Sequence, residues 1–396
     1  MSRSRSARLN TPLAIVAATV VVDLIGFGIV LPVLPLWAER FGASPVEIGL
    51  LTAVYSFVQF LVAPLWGRAS DRWGRRPIIL ISLAGAAIAA LLVGLAGSLL
   101  VLFLARILHG AAGASYVAAQ AYVADITTPA ERARGMGLIG AAFGVGFVLG
   151  PAIGALAATI GDASTPFFVA SALAALNLLV AWFRLPESRR EGAPTARTAR
   201  FAFLGRALTS RALAPLVLIS FVGTFAFVAM ESTFALFGQA RFGYGPAEVA
   251  LLFAYIGLAA AASQGALVGR LTGRYGEFGV MVAGLGGTSV GMAVMAVAEG
   301  LALLLVGLAV VGVASGLVFA TISALVSLAA SEEDQGGALG VLASSGSLAR
   351  IAGPLVATAL FQEVGIASPL ALAAVLFAAC LALATFVAAR PAPVTS

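Results

Sequence analysis

Four charged side chains stand inside long apolar runs: Asp23, Arg106, Glu231 and Arg350. An ionised side chain at the centre of a membrane-spanning helix costs about 2.5–3.5 kcal/mol on insertion scales. Such residues therefore face protein or water and mark function. A carboxylate at that depth can carry a proton. Burial favours its neutral form, a nearby arginine favours its charged form, and an arriving ligand can tip the balance. Asp23 and Glu231 are the candidate carriers. Arg106 and His109, the one histidine in the chain, are the candidate partners in proton coupling; an imidazole titrates near neutrality. The structural alternatives are an ion pair between Glu231 and Arg350 and a packing role for His109.

Two polar stripes accompany these charges. Arg106, His109, Gly113, Tyr116 and Gln120 recur at three- and four-residue steps, and so do Ser220, Thr224, Phe227 and Glu231. Each set predicts one face of a helix. In lipid a polar face must look inward. The stripes thus predict the walls of a substrate cavity that carry Tyr116, Gln120, Thr224, Phe227 and Glu231. Tyr55 and Gln59, four residues apart in another apolar run, join them.

The elements that must position these residues are legible in the composition. The chain has 396 residues, 61% hydrophobic and 10% charged, with a mean hydropathy of +1.05. Soluble domains average about 45–50% apolar and about 25% charged residues, so the solvent for most of this chain is lipid. One cysteine, Cys380, excludes a disulfide framework. All 23 basic residues are arginine, which removes the lysine of a phosphate-binding loop and of a Schiff base. The expectation is a chain that is not an enzyme and needs no cofactor and no metal. A net charge of +6 would suit nucleic acid, but the arginines are placed otherwise. About twelve apolar runs approach the ~20 residues of a membrane crossing. The loops that alternate on one side hold most of the arginines, and the other side holds Arg40 and Arg241. The positive-inside rule then predicts both termini in the cytoplasm. The first run resembles a signal peptide, but its length and Asp23 predict a retained span.

The chain also repeats. Gly67-Arg68-Ala69-Ser70-Asp71-Arg72-Trp73-Gly74 returns 202 residues later as Gly269-Arg270-Leu271-Thr272-Gly273-Arg274-Tyr275-Gly276. Gly150-Pro151 returns 203 residues later as Gly353-Pro354. Two motifs at nearly one offset predict two six-helix bundles, over 1–184 and 212–396, joined by a basic linker over 185–211. The predicted fold is an all-α membrane protein of twelve helices with pseudo-twofold symmetry and a ligand site at the midplane.

These residues carry a family resemblance. The run from Gly67 through Arg76 resembles the loop 2–3 signature of the major facilitator superfamily. Arg106-Ile107-Leu108-His109-Gly110 resembles its fourth-helix motif. Gly140, Gly144, Gly150, Pro151 and Gly154 resemble the fifth-helix motif of its antiporters. The run from Asp23 through Pro35 resembles the first helix of twelve-helix drug:proton antiporters of the tetracycline-efflux type. The resemblance implies that helices one and four line the cavity, which places Asp23 on the wall of the substrate cavity beside Arg106. It also implies a latch built from Gly67, Asp71, Arg72, Gly74, Arg75, Arg76 and Asp125. Asp71 would meet the start of helix eleven, and Arg75 would bridge Asp71 to Asp125. The second repeat keeps Arg274 but has Gly273 at the Asp71 position. The span-five glycines, with Pro151, imply a gating interface; generic small-residue packing is the alternative.

The function so implied is proton-coupled efflux of small lipophilic or amphipathic compounds by a monomer in the cytoplasmic membrane. Its partners would be the substrate, protons and the lipid bilayer, with no nucleic acid. Transport of a sugar, metabolite or lipid headgroup is the alternative, with Arg106 and Arg350 available to an anionic headgroup. A receptor or scaffold on a transporter fold is a third reading.

Overall fold

The computed structural model describes residues 3–127, 129–189, 205, 207, 209–331 and 334–388. Of residues 3–11, 129–134, 137, 140, 141 and 143 it describes the backbone alone. Most of the predicted linker and its arginines, with Glu332, Glu333 and Arg390, lie outside the described residues.

An apolar run in lipid must satisfy its backbone within itself, which leaves the helix. Thirteen α-helices follow in order among the described residues. They are α1 (Arg3–Glu39), α2 (Pro45–Trp73), α3 (Arg75–Gly94), α4 (Leu99–Ala112), α5 (Ser115–Ile126), α6 (Pro129–Ile160) and α7 (Thr165–Arg184). Then come α8 (Leu213–Phe242), α9 (Pro246–Ala262), α10 (Val268–Ala296), α11 (Leu301–Ala329), α12 (Gln335–Glu363) and α13 (Ser368–Ala388). A π-helical turn, Ser263–Leu267, joins α9 to α10.

Ten segments are long and apolar enough to cross a bilayer. One of them, Pro246–Ala296, has 51 residues, about twice the ~20 of a single crossing. Its backbone breaks at Gly276 (φ 71°, ψ 163°), so it crosses twice. α6, with 32 residues, supplies the twelfth crossing. α4 and α5 together make one span, Leu99–Ile126.

Local chemistry sets the helix ends. Ser44 and Glu47 form a capping box at the start of α2. The Ser98 hydroxyl accepts from Val101 N at the start of α4. Gly243, left-handed at φ 72°, ends α8. Such caps satisfy backbone groups that the helix leaves free.

The chain forms two compact units, Met1–Ala196 with Tyr244–Ala254, and Arg197–Gly243 with Tyr255–Ser396. The same packing recurs inside each. In the first, α1 packs on α6 and α7, α3 on α7 and α3 on α4. In the second, α8 packs on α12 and α13, α10 on α13 and α10 on α11. The core of the first unit surrounds Tyr122, which is fully buried among α1, α3, α5, α6 and α7.

Candidate functional site

Asp23 lies in the middle of α1, and glycines bring α6 against that stretch. A Cβ on Gly150 would stand 2.7 Å from Ile25 O and from Gly28 Cα; one on Gly146 would stand 2.5 Å from Leu24 Cβ. Small residues allow backbones in lipid to approach this closely. On the other side of α1, the buried Asn177 of α7 donates to Thr19 O at 2.8 Å, one turn before Asp23. The α6 glycines differ among themselves. A Cβ on Gly154 would stand 3.3 Å from Ile29 O, and one on Gly144 would meet nothing within 4 Å. Gly140 lies in the same helix. Pro151 itself touches α1, its Cδ lying 3.2 Å from where a Gly28 Cβ would be.

The partner of Asp23 is Ser115, whose hydroxyl donates to Oδ2 at 2.5 Å. Among the described residues no arginine nitrogen comes within 4 Å of Asp23, whereas Arg75 pairs with Asp71 and with Asp125. Ser115 reaches Asp23 because span four is broken. α4 stops at Ala112, Gly113 turns away at φ −71°, ψ 48°, and α5 starts at Ser115. The sequence predicts one continuous stripe from Arg106 to Gln120, and this break corrects it: Arg106 and His109 lie on α4, Tyr116 and Gln120 on α5. Neighbouring side chains bind the backbone groups around the break. Trp66 donates to Ala111 O at 2.6 Å and Gln59 to Gly113 O at 3.3 Å. The Ser82 hydroxyl donates to Ala112 O and accepts from Ala114 N and Ser115 N. Irregular backbone at membrane depth needs such partners.

Arg106 is 3% exposed. Its Nε donates to Leu51 O at 3.3 Å, and its guanidinium lies 4.4 Å from the centre of the Tyr55 ring. Tyr55 is the hub of this region. It meets His109 edge to face at 5.1 Å and Phe27 at 5.8 Å, and its hydroxyl accepts from Gln59 at 3.3 Å. The structure thus brings Arg106, His109, Tyr55 and Gln59 together, and pairs Asp23 with Ser115 beside them. Tyr116 and Gln120 hydrogen-bond to each other.

In the second unit Glu231 is 6% exposed, and its Oε1 has no hydrogen-bond partner among the described residues. Arg350 on α12 acts on it through space but forms no ion pair with it within 4 Å. On the same stripe, Phe227 packs edge-on against Phe319 of α11 at 5.4 Å. Ser220 and Thr224 line a small hollow, too tight for a drug-sized molecule, with Ser315, Phe319 and Phe377.

A third group surrounds the turn between α2 and α3. Arg75 Nη1 donates to Asp71 Oδ1 at 2.5 Å, and Nε donates to Asp125 Oδ2 at 2.9 Å. The segment after α7 straps this turn. Glu187 accepts from Arg75 N (2.8 Å) and Arg76 N (3.2 Å), capping α3 from a distance. Ser188 donates to Asp125, Tyr122 to Pro186 O, Arg189 to Arg72 O, and Arg76 to Trp182 O. Gly74 has φ 103°, and a Cβ there would strike Glu187 Oε2. A Cβ on Gly67 would meet nothing within 4 Å.

Sequence reasoning missed Ser82, Asn177, Glu187 and Ser115. Each is a single polar residue whose partner lies on another helix, so no local spacing marks it.

Comparison with known proteins agrees with this architecture. The sequence model of the Major Facilitator Superfamily matches residues 16–279 and 265–396. The class C tetracycline resistance protein of Escherichia coli is 33% identical over 358 residues, covering 89% of this chain and 90% of that one. Multidrug resistance protein 1 of Bacillus subtilis (strain 168) is 30% identical over 359 residues, with coverage of 89% and 90%. The crystal structure of the human organic anion transporter MFSD10 (TETRAN) superposes with a TM-score of 0.72 at 27% identity, covering 95% of this chain and 99% of that one. Twelve apolar crossings, a packing scheme used twice and these matches lead to one conclusion: the chain belongs to the Major Facilitator Superfamily and is a multi-pass membrane transporter.

Proposed function

We propose that this transporter is a proton-coupled antiporter that exports small lipophilic or amphipathic compounds, tetracyclines among them, by alternating access. It would work as a monomer in the cytoplasmic membrane, with both termini in the cytoplasm. The observation that carries this reading is Asp23. It is a carboxylate in mid-span whose hydrogen bond comes from a neutral hydroxyl, with no arginine nitrogen within 4 Å among the described residues. A carboxylate held this way is free to take up and release a proton as its surroundings change. An acid locked to a guanidinium would stay charged. Glu231 is proposed as a second acidic centre, for a cationic substrate or a second proton. Arg106, Tyr55, His109 and Gln59 would form the wall beside Asp23. The names of the relatives support a drug as the substrate. The group around Arg75 is proposed as the latch of the cycle, with the α6 glycines as a gating surface.

The test is drug-driven proton release in proteoliposomes, with tetracycline and ethidium as probes. Asp23→Asn is expected to abolish it while the protein still purifies as a single folded species. Normal proton release from that variant would overturn the reading.

Arg106 favours a second reading, transport of an anionic metabolite or headgroup. It is a buried cation with no carboxylate within 4 Å among the described residues. Competition of organic anions against tetracycline, lost in Arg106→Gln, would select that reading.

A further inference from the structure

We propose that Ser82 is a positioning residue for proton coupling: its hydroxyl fixes the break in span four that delivers the Ser115 hydroxyl to Asp23. The inference rests on the reading of Asp23 as the proton carrier and adds a residue that acts on it at one remove.

Ser82 stands on α3, is 2% exposed, and spends its hydroxyl on backbone groups of span four rather than on Asp23. A hydroxyl has one proton to donate and two lone pairs. Ser82 uses all three on the break. It donates to Ala112 O, accepts from Ala114 N at 3.1 Å, and accepts from Ser115 N at 2.9 Å. In an unbroken helix Ser115 N would bond to Ala111 O four residues back. That carbonyl is taken instead by Trp66 Nε1 at 2.6 Å. The Ser115 N–H therefore depends on Ser82. Its own hydroxyl, on the same residue, points to Asp23 Oδ2. Ser82 thus holds the backbone of the residue whose side chain holds the carboxylate.

The consequence follows from helix geometry. Without the Ser82 hydroxyl, the Ser115 N–H near the middle of a 28-residue span loses its partner where water is scarce, and Ala112 O and Ala114 N keep only their bond to each other at 2.7 Å. The span recovers the lost bonds by winding α4 and α5 into one another. Each residue added to a helix turns the face by about 100°, so closing the gap at Gly113 and Ala114 carries Ser115 off the face that meets Asp23. The carboxylate then loses its donor, and the balance between its charged and neutral forms moves.

The experiment is tetracycline- or ethidium-driven proton release in proteoliposomes of the full chain, using whichever probe the unsubstituted protein exports, followed across pH. Ser82→Ala is expected to lower the rate at least tenfold, with less than threefold change in KM for the probe. Its pH profile should change in the same way as that of Ser115→Ala. The double variant should be no worse than Ser115→Ala alone, because both substitutions break one chain of contacts. Ser82→Thr, which keeps the hydroxyl, should recover to within threefold. If Ser82→Ala does not fold, Ser82→Cys, which keeps the volume but donates weakly, is read instead and should show a partial loss with the same change in pH profile. Normal coupling in Ser82→Ala, or losses that multiply in the double variant, would overturn the inference. If Asp23→Asn is inactive while Ser82→Ala and Ser115→Ala are normal, the inference fails and Asp23 stands as carrier. Proton release that survives Asp23→Asn overturns both.

Discussion

Glu231 and Asp23 are both carboxylates at membrane depth, and their surroundings differ. Asp23 has the Ser115 hydroxyl, whereas among the described residues Glu231 keeps a buried oxygen with no hydrogen-bond partner and no ion pair with Arg350 within 4 Å. A buried acceptor left unsatisfied costs about 1–3 kcal/mol. Glu231→Gln is therefore expected to keep or raise the melting temperature in detergent while lowering ethidium export at least tenfold. A double-mutant cycle with Arg350→Gln should give a coupling below about 1 kcal/mol, because breaking a true buried pair typically costs about 3–5. A larger coupling, with normal transport in the double variant, would make the two a structural pair. The charged residues in the spans were legible in the sequence because lipid makes each of them conspicuous. Their partners were not. Ser115 and Ser82 look like any small residue among alanines and glycines, and their bonds run between helices 92 and 33 residues apart in sequence.

At the scale of the element, glycine has opposite meanings in two helices that look alike in sequence. In span four Gly110 stays within a helix while Gly113 ends it. In α6 the glycines leave the helix intact, and Gly146, Gly150 and Gly154 bring it against α1. An isolated glycine in an apolar run is usually absorbed into a helix, so periodicity carried the stripe from Arg106 to Gln120 across a break it could not reveal. What decides is the set of side chains on α2 and α3 that satisfy the broken turn: Trp66, Gln59 and Ser82. The α6 contact makes a graded prediction. Gly150→Ala puts a methyl 2.7 Å from Ile25 O and Gly28 Cα, both backbone. Overpacking of this kind costs about 1–3 kcal/mol, and the displaced stretch of α1 carries Asp23. Loss of stability together with loss of drug-driven proton release is expected. Gly144→Ala meets nothing within 4 Å. It should be neutral, or stabilising by up to about 1 kcal/mol through helix propensity. Chemical denaturation of both variants in detergent measures the contrast. Equal effects would mean that close approach to α1 is not what these glycines provide.

Across the whole chain, the internal repeat seen in the sequence reappears in backbone angles. Gly74 and Gly276 stand 202 residues apart, the spacing of the loop motifs themselves. Both have positive φ with ψ near 160°: 103° and 162° at Gly74, 71° and 163° at Gly276. That region is essentially restricted to glycine. The same sharp turn therefore joins the second and third spans of each sequence repeat. The repeats differ in what surrounds it. In the first, Glu187 accepts from the backbone of Arg75 and Arg76, and Arg75 holds Asp71 and Asp125. In the second, Gly273 takes the place of Asp71, and a Cβ on Gly276 would meet nothing within 4 Å. The motif made the asymmetry at Asp71 legible; the strap from Glu187 was not, since it arrives from a segment 112 residues away. The two turns can be weighed against each other. Gly276→Ala should cost only backbone strain, about 1–3 kcal/mol. Gly74→Ala carries the same strain and also drives a methyl into Glu187 Oε2. Glu187 cannot move aside without releasing the first N–H groups of α3, a helix-capping loss of about 0.5–2 kcal/mol. Gly74→Ala should therefore be the more destabilising by that margin, and Glu187→Ala should erase most of the difference. Thermal unfolding in detergent of the two glycine variants, each with and without Glu187→Ala, measures all three quantities. If Gly74→Ala and Gly276→Ala lose equal stability, the strap has no energetic role and the two turns are equivalent despite their different surroundings.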